Sequence, residues 1–153
     1  MIRPARPAEA PALAALVERA YAPWVPLVGR RPAPMDDDYA ARIAAGQAWV
    51  LDQAGAILGL VVLEAAPDHL WLDNVAVDPA GQGQGTGRRL MRFAAEEAAR
   101  RGLDEVRLLT HEKMARNIAL YTRLGFTETE RREEKGFRRV FFAIPTERLL
   151  AAG

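Results

Sequence analysis

The run Asp78-Pro79-Ala80-Gly81-Gln82-Gly83-Gln84-Gly85-Thr86-Gly87 holds the residues best spaced to do chemistry. Four of the twelve glycines fall here, at every second position. An apolar stretch, Leu70 to Val77, leads in, and a helical pattern from Thr86 to about Arg101 leads out. Strand, glycine turn and helix start make an anion site, because free backbone N–H groups converge and the helix dipole adds to them. Glycine serves there because a Cβ would hold a phosphate away from the backbone. Two phosphate motifs fail on spacing. The dinucleotide fingerprint needs Gly at i, i+2 and i+5; from Gly81, Gly83 or Gly85 the last position is Thr86, Arg88 or Leu90. The P-loop ends in Gly-Lys-Ser/Thr, and this stretch has no Lys.

Other reactive groups are few. Zero cysteines exclude disulfides, Cys-ligated zinc and a cysteine nucleophile. His69 and His111 are the only histidines, so no metal site is expected. Asp73 and Asn74 interrupt an apolar strand, and a buried polar group must find a partner. Strict alternation puts Trp71, Asp73, Val75 and Val77 on one face.

These groups need a scaffold. The chain has 153 residues, about one domain's worth, and half of them are hydrophobic. Net charge is +1, from 21 basic and 20 acidic residues, which makes no electrostatic case for nucleic acid. No apolar run approaches the roughly 20 residues of a membrane span. No signal-peptide pattern opens the chain, so a cytoplasmic protein is expected.

In order, Ile2-Arg3-Pro4 reads as a short strand and Ala8 to Tyr21 as an amphipathic helix. Pro23 to Pro34 reads as a loop beside the scaffold, a common seat of selectivity. Asp36-Asp37-Asp38 reads as a helix start, the helix running to about Ala45. A meander follows: Ala48 to Asp52, Ile57 to Ala65 and His69 to Val77, with Gly59 marking a bulge. After the glycine run and its helix come a strand at Val106–Leu109 and a helix from Ala115 to Leu124. Gly125 caps that helix, and strands at Phe126–Arg132 and Arg138–Ile144 close the order. This order suits one α/β layer domain with a mixed sheet.

Gln82, Gly85 and Gly87 fit Gln-x-x-Gly-x-Gly, which resembles the acyl-CoA pyrophosphate loop of the GNAT N-acetyltransferase family. A second segment, Asn117-Ile118-Ala119-Leu120-Tyr121-Thr122-Arg123-Leu124-Gly125-Phe126, resembles the family's Asn…Ala…Tyr-x-x-x-Gly-Phe pattern, with shorter spacing before its Tyr. The resemblance covers roughly Leu70 to Phe126. It implies that residues 1–153 form a single acyl-CoA N-acyltransferase domain. Its α/β (α+β) fold would have a mostly antiparallel central sheet, splayed between the parallel strands His69–Val77 and Val106–Leu109, with helices on both faces. Acetyl-CoA would enter the splay as acyl donor. Its pyrophosphate would sit on Gln82, Gly83, Gln84, Gly85, Thr86 and Gly87, with Arg88 or Arg89 adding charge and Asn117 touching the pantetheine. Backbone groups near Val75 and Val77 would pair with the pantetheine as a strand does. No metal is implied.

Acyl transfer from a thioester to an amine needs a neutral amine, an oxyanion donor and a proton for the thiolate. The resemblance makes Tyr121 the proton donor, its phenol ordinarily near pKa about 10. The alternative is a core tyrosine packing its helix on the sheet. Asp73 is the first candidate base; His111, with a pKa near 6.5, and Glu112 compete with it. Otherwise Asp73 bridges loops and His111 is an exposed loop residue. Tyr21, Trp24, Tyr39 and His111, with Met35 and Trp71, are the candidates for the acceptor site. The acceptor would be a small-molecule or peptide amine, attacked directly in a ternary complex. A homodimer is one state the resemblance allows. A non-catalytic acyl-CoA sensor on the same fold is the alternative function.

Overall fold

The computed structural model describes residues 1–152 and gathers the expected strands into one sheet. They are β1 (Ile2–Pro4), β2 (Ala48–Gln53), β3 (Ala56–Ala65), β4 (Leu70–Val77), β5 (Glu105–His111), β6 (Thr127–Glu134) and β7 (Phe137–Pro145). The seven-stranded order is β1-β2-β3-β4-β5-β7-β6. Every neighbouring pair is antiparallel except β4 and β5. That parallel pair meets only at Leu70↔Val106 and Trp71↔Arg107. Past Trp71 the two strands part, β4 running on to Val77 and β5 to His111. The sheet is splayed between the two strands where the resemblance implied it.

Among the described residues six helices cover the sheet: α1 (Ala10–Tyr21), α2 (Val25–Val28), α3 (Tyr39–Ala44), α4 (Thr86–Arg100), α5 (Ala115–Leu124) and α6 (Thr146–Ala152). On one face Leu13, Leu16 and Val17 of α1 join Tyr39 and Ile43 of α3 against Val50, Leu60, Val62 and Ala76. On the other, Leu90, Met91, Ala94, Ala95 and Ala98 of α4 pack on Leu51, Val61, Leu63, Val106 and Leu108, beside Leu149 of α6. Each fully buried aliphatic side chain contributes about 1.5–3 kcal/mol, so these two layers carry the fold.

Two bulges set the site. Leu51 pairs with Gly59 and Asp52 with Ile57, leaving Leu58 extra in β3. The expected bulge at Gly59 therefore lies one residue earlier. Gly59 itself is a contact point: a Cβ there would lie 2.8 Å from Leu90 Cδ1 and 3.0 Å from Thr86 Cγ2. The first turns of α4 ride directly on that glycine, which fixes the glycine run against the sheet.

The second bulge corrects the expected facing of β4. Val62 pairs with Asn74 and Leu63 with Leu72, so Asp73 is the extra residue. A bulge breaks the period of two. Leu72, Val75 and Val77 consequently share the α4 face, while Ala76 packs on the α1 face. Asp73 and Asn74, though consecutive, both reach groups of the α1–α3 side. Asp73 does not share a face with Val75 and Val77.

The segment read as a loop between Pro23 and Pro34 is instead short turns: a 3-10 turn at Ala22–Trp24, α2, and a 3-10 turn at Ala33–Asp36. Helix α3 starts later than expected, because Asp38 is its N-cap and accepts the Ala41 N–H at 3.0 Å. Asp37 turns away to Arg42. The C-terminal α6 was not expected. Thr146 anchors it, donating its Oγ1 hydrogen to Leu103 O at 2.7 Å. Among the described residues no helix is long and apolar enough to cross a membrane.

Candidate active site

Strands diverging from a common start leave space between them, and here that space is two cavities of about 660 Å³ and 600 Å³. Tyr21, Val75, Asn117 and Tyr121 line both. The larger extends past Trp71, Asp73 and His111 to Phe137. The smaller extends past Val77 to Gln82, Gly87 and Arg88. The four shared residues form the junction.

The smaller cavity ends at the glycine run. Gly83 and Gly85 hold φ +80° and +75°, the left-handed region that glycine enters freely. Gly85 is the N-cap of α4. Among the described residues, the N–H groups from Gly83 to Arg88 have no intramolecular acceptor; Arg89 N–H is the first to bond, to Gly85 O at 3.0 Å. Unpaired N–H groups at a helix start are what an anion needs, so the residues present fit a pyrophosphate. Of the expected N–H groups only that of Gln82 is taken, while two side chains of the run bond within the loop. Gln82 N–H is spent on Pro79 O at 3.4 Å, and Gln84 Nε2 donates to Ala80 O at 3.4 Å. Thr86 is buried, its hydroxyl donating to Gly81 O at 3.2 Å, so its side chain closes the loop. Asp78 holds the loop entrance. Its carboxylate accepts Ala80 N–H at 2.9 Å and bridges Arg19 at 2.5 Å, and these bonds hold its pKa below the usual carboxylate value.

At the junction, α5 presents Asn117 and Tyr121 one turn apart, as i,i+4 spacing predicts. The Tyr121 ring is seated against Phe126 and Phe142, with centroids 5.6 Å and 5.9 Å away. Burial pushes its phenol up to about 12. Tyr121 lines both cavities and, among the described residues, its hydroxyl has no hydrogen-bond partner, which leaves its proton free to be given. Tyr121 is thus both the core tyrosine and a candidate acid.

The larger cavity is built from side chains. Asp73 Oδ1 accepts from Trp71 Nε1 and Oδ2 from Arg42 Nη2, both at 3.1 Å. Burial raises the Asp73 pKa, and Arg42 opposes that shift. Arg42 also reaches Asp37 at 2.8 Å and Glu64, so one guanidinium serves three carboxylates. Nothing in the sequence marked Arg42, which lies 31 positions from Asp73. Phe137 and Arg139, from the β6–β7 hairpin, are two further lining residues that sequence reasoning missed. His111 ends β5, edge-on to Phe137 at 6.3 Å. The Lys113 N–H donates to its Nδ1 at 3.1 Å. In the neutral ring the proton therefore sits on Nε2. Burial lowers the His111 pKa, so the ring stays neutral near pH 7 and can donate through Nε2 rather than accept. Glu112 is turned to Arg138 at 3.0 Å and lies outside the cavity.

Of the other expected acceptor residues, Tyr21 sits at the junction. Trp24 lines the smaller cavity beside Gly87, because the turn after α1 carries it there. Tyr39 lines neither cavity; its ring is buried under α1 and its hydroxyl donates to Pro34 O at 2.5 Å. Met35 only packs against that core. Among the described residues no group of three His, Cys, Asp or Glu could hold a metal ion.

Comparison with known proteins agrees with this geometry. The chain is 37% identical over 78 residues to the [ribosomal protein bS18]-alanine N-acetyltransferase of Escherichia coli, covering 51% of this chain and 53% of that protein. It is 35% identical over 140 residues to the mycothiol acetyltransferase of Tsukamurella paurometabola, covering 83% of this chain and 48% of the other. The chain thus spans about half the length of these relatives. The crystal structure of the Escherichia coli ribosomal-protein-S18-alanine N-acetyltransferase superposes with TM-score 0.74 at 26% identity, over 95% of this chain and 93% of that one. The PaiA N-acetyltransferase of Thermoplasma acidophilum, solved in complex with coenzyme A, shares the fold. It has TM-score 0.77 at 13% identity, over 92% and 96% of the two chains. A family model described as the Acetyltransferase (GNAT) family matches residues 13–126, and the chain belongs to that family.

Proposed function

We propose that this protein is an N-acetyltransferase that moves the acetyl group of acetyl-CoA to a primary amine by direct attack in a ternary complex. One observation carries this reading: an N–H cradle and a side-chain pocket meet at a junction where Tyr121 keeps a free hydroxyl. The named relatives support it, since both are acetyltransferases. In this reading the cradle from Gly83 to Arg88 takes the pyrophosphate, and the unpaired edge of β4 at Val75 and Val77 runs alongside the pantetheine. A backbone N–H near Val75 then receives the charge developing on the thioester oxygen.

The chemistry divides between the walls. Asp73, with its raised pKa, accepts the amine's proton directly or through water. Its position on the acceptor side of the bulge suits an incoming amine better than the cofactor. Tyr121 gives its proton to the departing thiolate, and Asn117, one turn earlier, holds the pantetheine beside it. His111 Nε2–H donates to the body of the acceptor. The acceptor is a small-molecule or peptide amine. A cytoplasmic protein, where acetyl-CoA is supplied, is consistent with this reading.

The test is thiol release from acetyl-CoA against panels of polyamines, aminoglycosides, amino acids and peptides, with calorimetry of acetyl-CoA binding alongside. Amine-dependent release with one panel supports the reading. Tight binding without transfer to any panel would favour an acyl-CoA sensor instead, and absence of binding would sink both.

A further inference from the structure

Tyr21 lines the junction with Tyr121, and a chain of hydrogen bonds, buried at its centre, decides which way its hydroxyl points. The chain starts at Pro34 O, which can only accept. Tyr39 therefore spends its one hydroxyl proton there, at 2.5 Å. The Asn74 atom facing the Tyr39 oxygen at 3.1 Å must then be a donor, which makes it Nδ2. That sets the amide, and Oδ1 faces the other way, 2.6 Å from the Tyr21 hydroxyl. A carbonyl oxygen only accepts, so Tyr21 donates. Its next nearest acceptor, Val75 O at 3.5 Å, lies on the same strand. Either way the Tyr21 proton points into β4 and the phenol lone pairs face the junction. The orientation of the amide follows from the carbonyl at the far end and needs no assumption about which amide atom is which.

The two tyrosines at the junction thus have opposite polarity. Tyr121 has a proton to give, and Tyr21 has only lone pairs to offer. We infer that Tyr21 is a positioning acceptor for the incoming amine: it takes one N–H of the nucleophile and so turns the nitrogen lone pair toward the thioester carbonyl. Tyr39 and Asn74 are positioning residues that hold Tyr21 in this role without touching the acceptor. Tyr21 does not deprotonate the amine, because its oxygen already carries a proton; that proton goes to Asp73 in the mechanism above. Burial raises the Tyr21 phenol well above its ordinary value, which keeps it protonated throughout the working range. One N–H held by Tyr21 and a second lost to Asp73 together favour primary over secondary amines. The bulge at Asp73 makes the device possible, since it turns Asp73 and Asn74 to the same side of β4.

This inference rests on the acetyltransfer reading, and a double-mutant cycle on the KM for the amine tests the two separately. Tyr21→Phe keeps the ring and removes the acceptor; it should raise KM for the amine about tenfold and leave acetyl-CoA affinity unchanged, the scale of one hydrogen bond. Tyr39→Phe, at a residue that lines neither cavity, frees the Asn74 amide to flip and should cost about fivefold on the same constant. The double variant should match Tyr21→Phe alone, because the chain has already lost its end. Thermal melting of each variant separates folding losses from this effect. Losses that simply multiply, or that fall on acetyl-CoA affinity, would assign Tyr39 an ordinary packing role and overturn the inference. Wild-type transfer with Tyr21→Phe at full efficiency overturns it too, while leaving the acetyltransferase reading standing. A wild-type protein that acetylates no amine overturns both.

Discussion

The two halves of the cleft are made of different material. The glycine half offers backbone N–H groups held by a loop and a helix start, with Gly83 and Gly85 at positive φ and no side chain required. The acceptor half is made of side chains brought from α1, α3, β4, β5 and the β6–β7 hairpin, tied by Arg42 and by the Tyr21–Asn74–Tyr39 chain. A ligand common to a whole family can be bound by groups every residue has. An acceptor particular to one protein must be recognised by groups that vary. The contrast makes a physical demand: substitutions in the acceptor half and at the junction should act on chemistry and on the amine. Those in the glycine half should act on acetyl-CoA and on little else.

The largest effect is expected at the junction. Tyr121→Phe keeps the ring against Phe126 and Phe142 and removes the hydroxyl free to donate at the junction. Loss of a general acid should lower kcat several hundredfold, with the calorimetric affinity for acetyl-CoA unchanged. An unaltered kcat would remove Tyr121 from the mechanism and leave it a packing residue.

Asp73→Asn should come next, at about a hundredfold in kcat/KM for the amine, and it carries a pH signature. Burial raises the Asp73 pKa. In the wild type, efficiency should therefore fall as pH drops through an ionisation above the ordinary carboxylate value, since the protonated acid accepts nothing. The amine's own ionisation adds the same slope to both proteins, so the step belongs to the difference between them. The sign for stability is opposite. A carboxylate whose pKa is raised on folding stabilises the fold when protonated and loses that contribution as pH rises through the folded value. Asp73→Asn should therefore melt slightly higher than wild type at neutral pH. If the pH step persists in Asp73→Asn, the base is elsewhere.

How much of this division was legible in the sequence follows from its cause. The glycine half lies within ten residues, and its spacing alone excluded two other phosphate motifs. Strand, turn and helix came with it. The splay was legible through the resemblance, and the structure places it between the two strands expected. The acceptor half was legible only as a set of residue types. Arg42 meets Asp73 across 31 positions and Tyr21 meets Asn74 across 53, distances over which no local pattern speaks. The bulge at Asp73 has no glycine to announce it, so strict alternation put Asp73 on the wrong face. Trp24 was placed with the acceptor because aromatic residues in a loop carry no direction. Helix α6 was missed because seven residues after Pro145 are marginal alone and gain their stability by packing Leu149 beside α4.

Within the glycine half, two smaller predictions rank backbone against side chain. Gly85→Val forces a branched residue into φ +75°, at a cost of about 1–2 kcal/mol, and moves the first N–H groups of α4. KM for acetyl-CoA should rise about tenfold, while kcat at saturation holds and the amine constant stays put.

Arg88→Ala leaves the backbone alone and removes one exposed-side charge from the same cavity. A guanidinium reaching a solvated phosphate contributes little beyond the N–H cradle, since water and salt screen it. Acetyl-CoA affinity should fall about threefold at low ionic strength, and the difference from wild type should shrink as salt is added. The order of the two effects is the sharper test, because it does not depend on either magnitude. If Arg88→Ala weakens acetyl-CoA binding more than Gly85→Val does, and keeps that lead in high salt, the glycine half is held by a side chain after all. The contrast between a backbone-built wall and a side-chain-built wall would then fail at its simplest point.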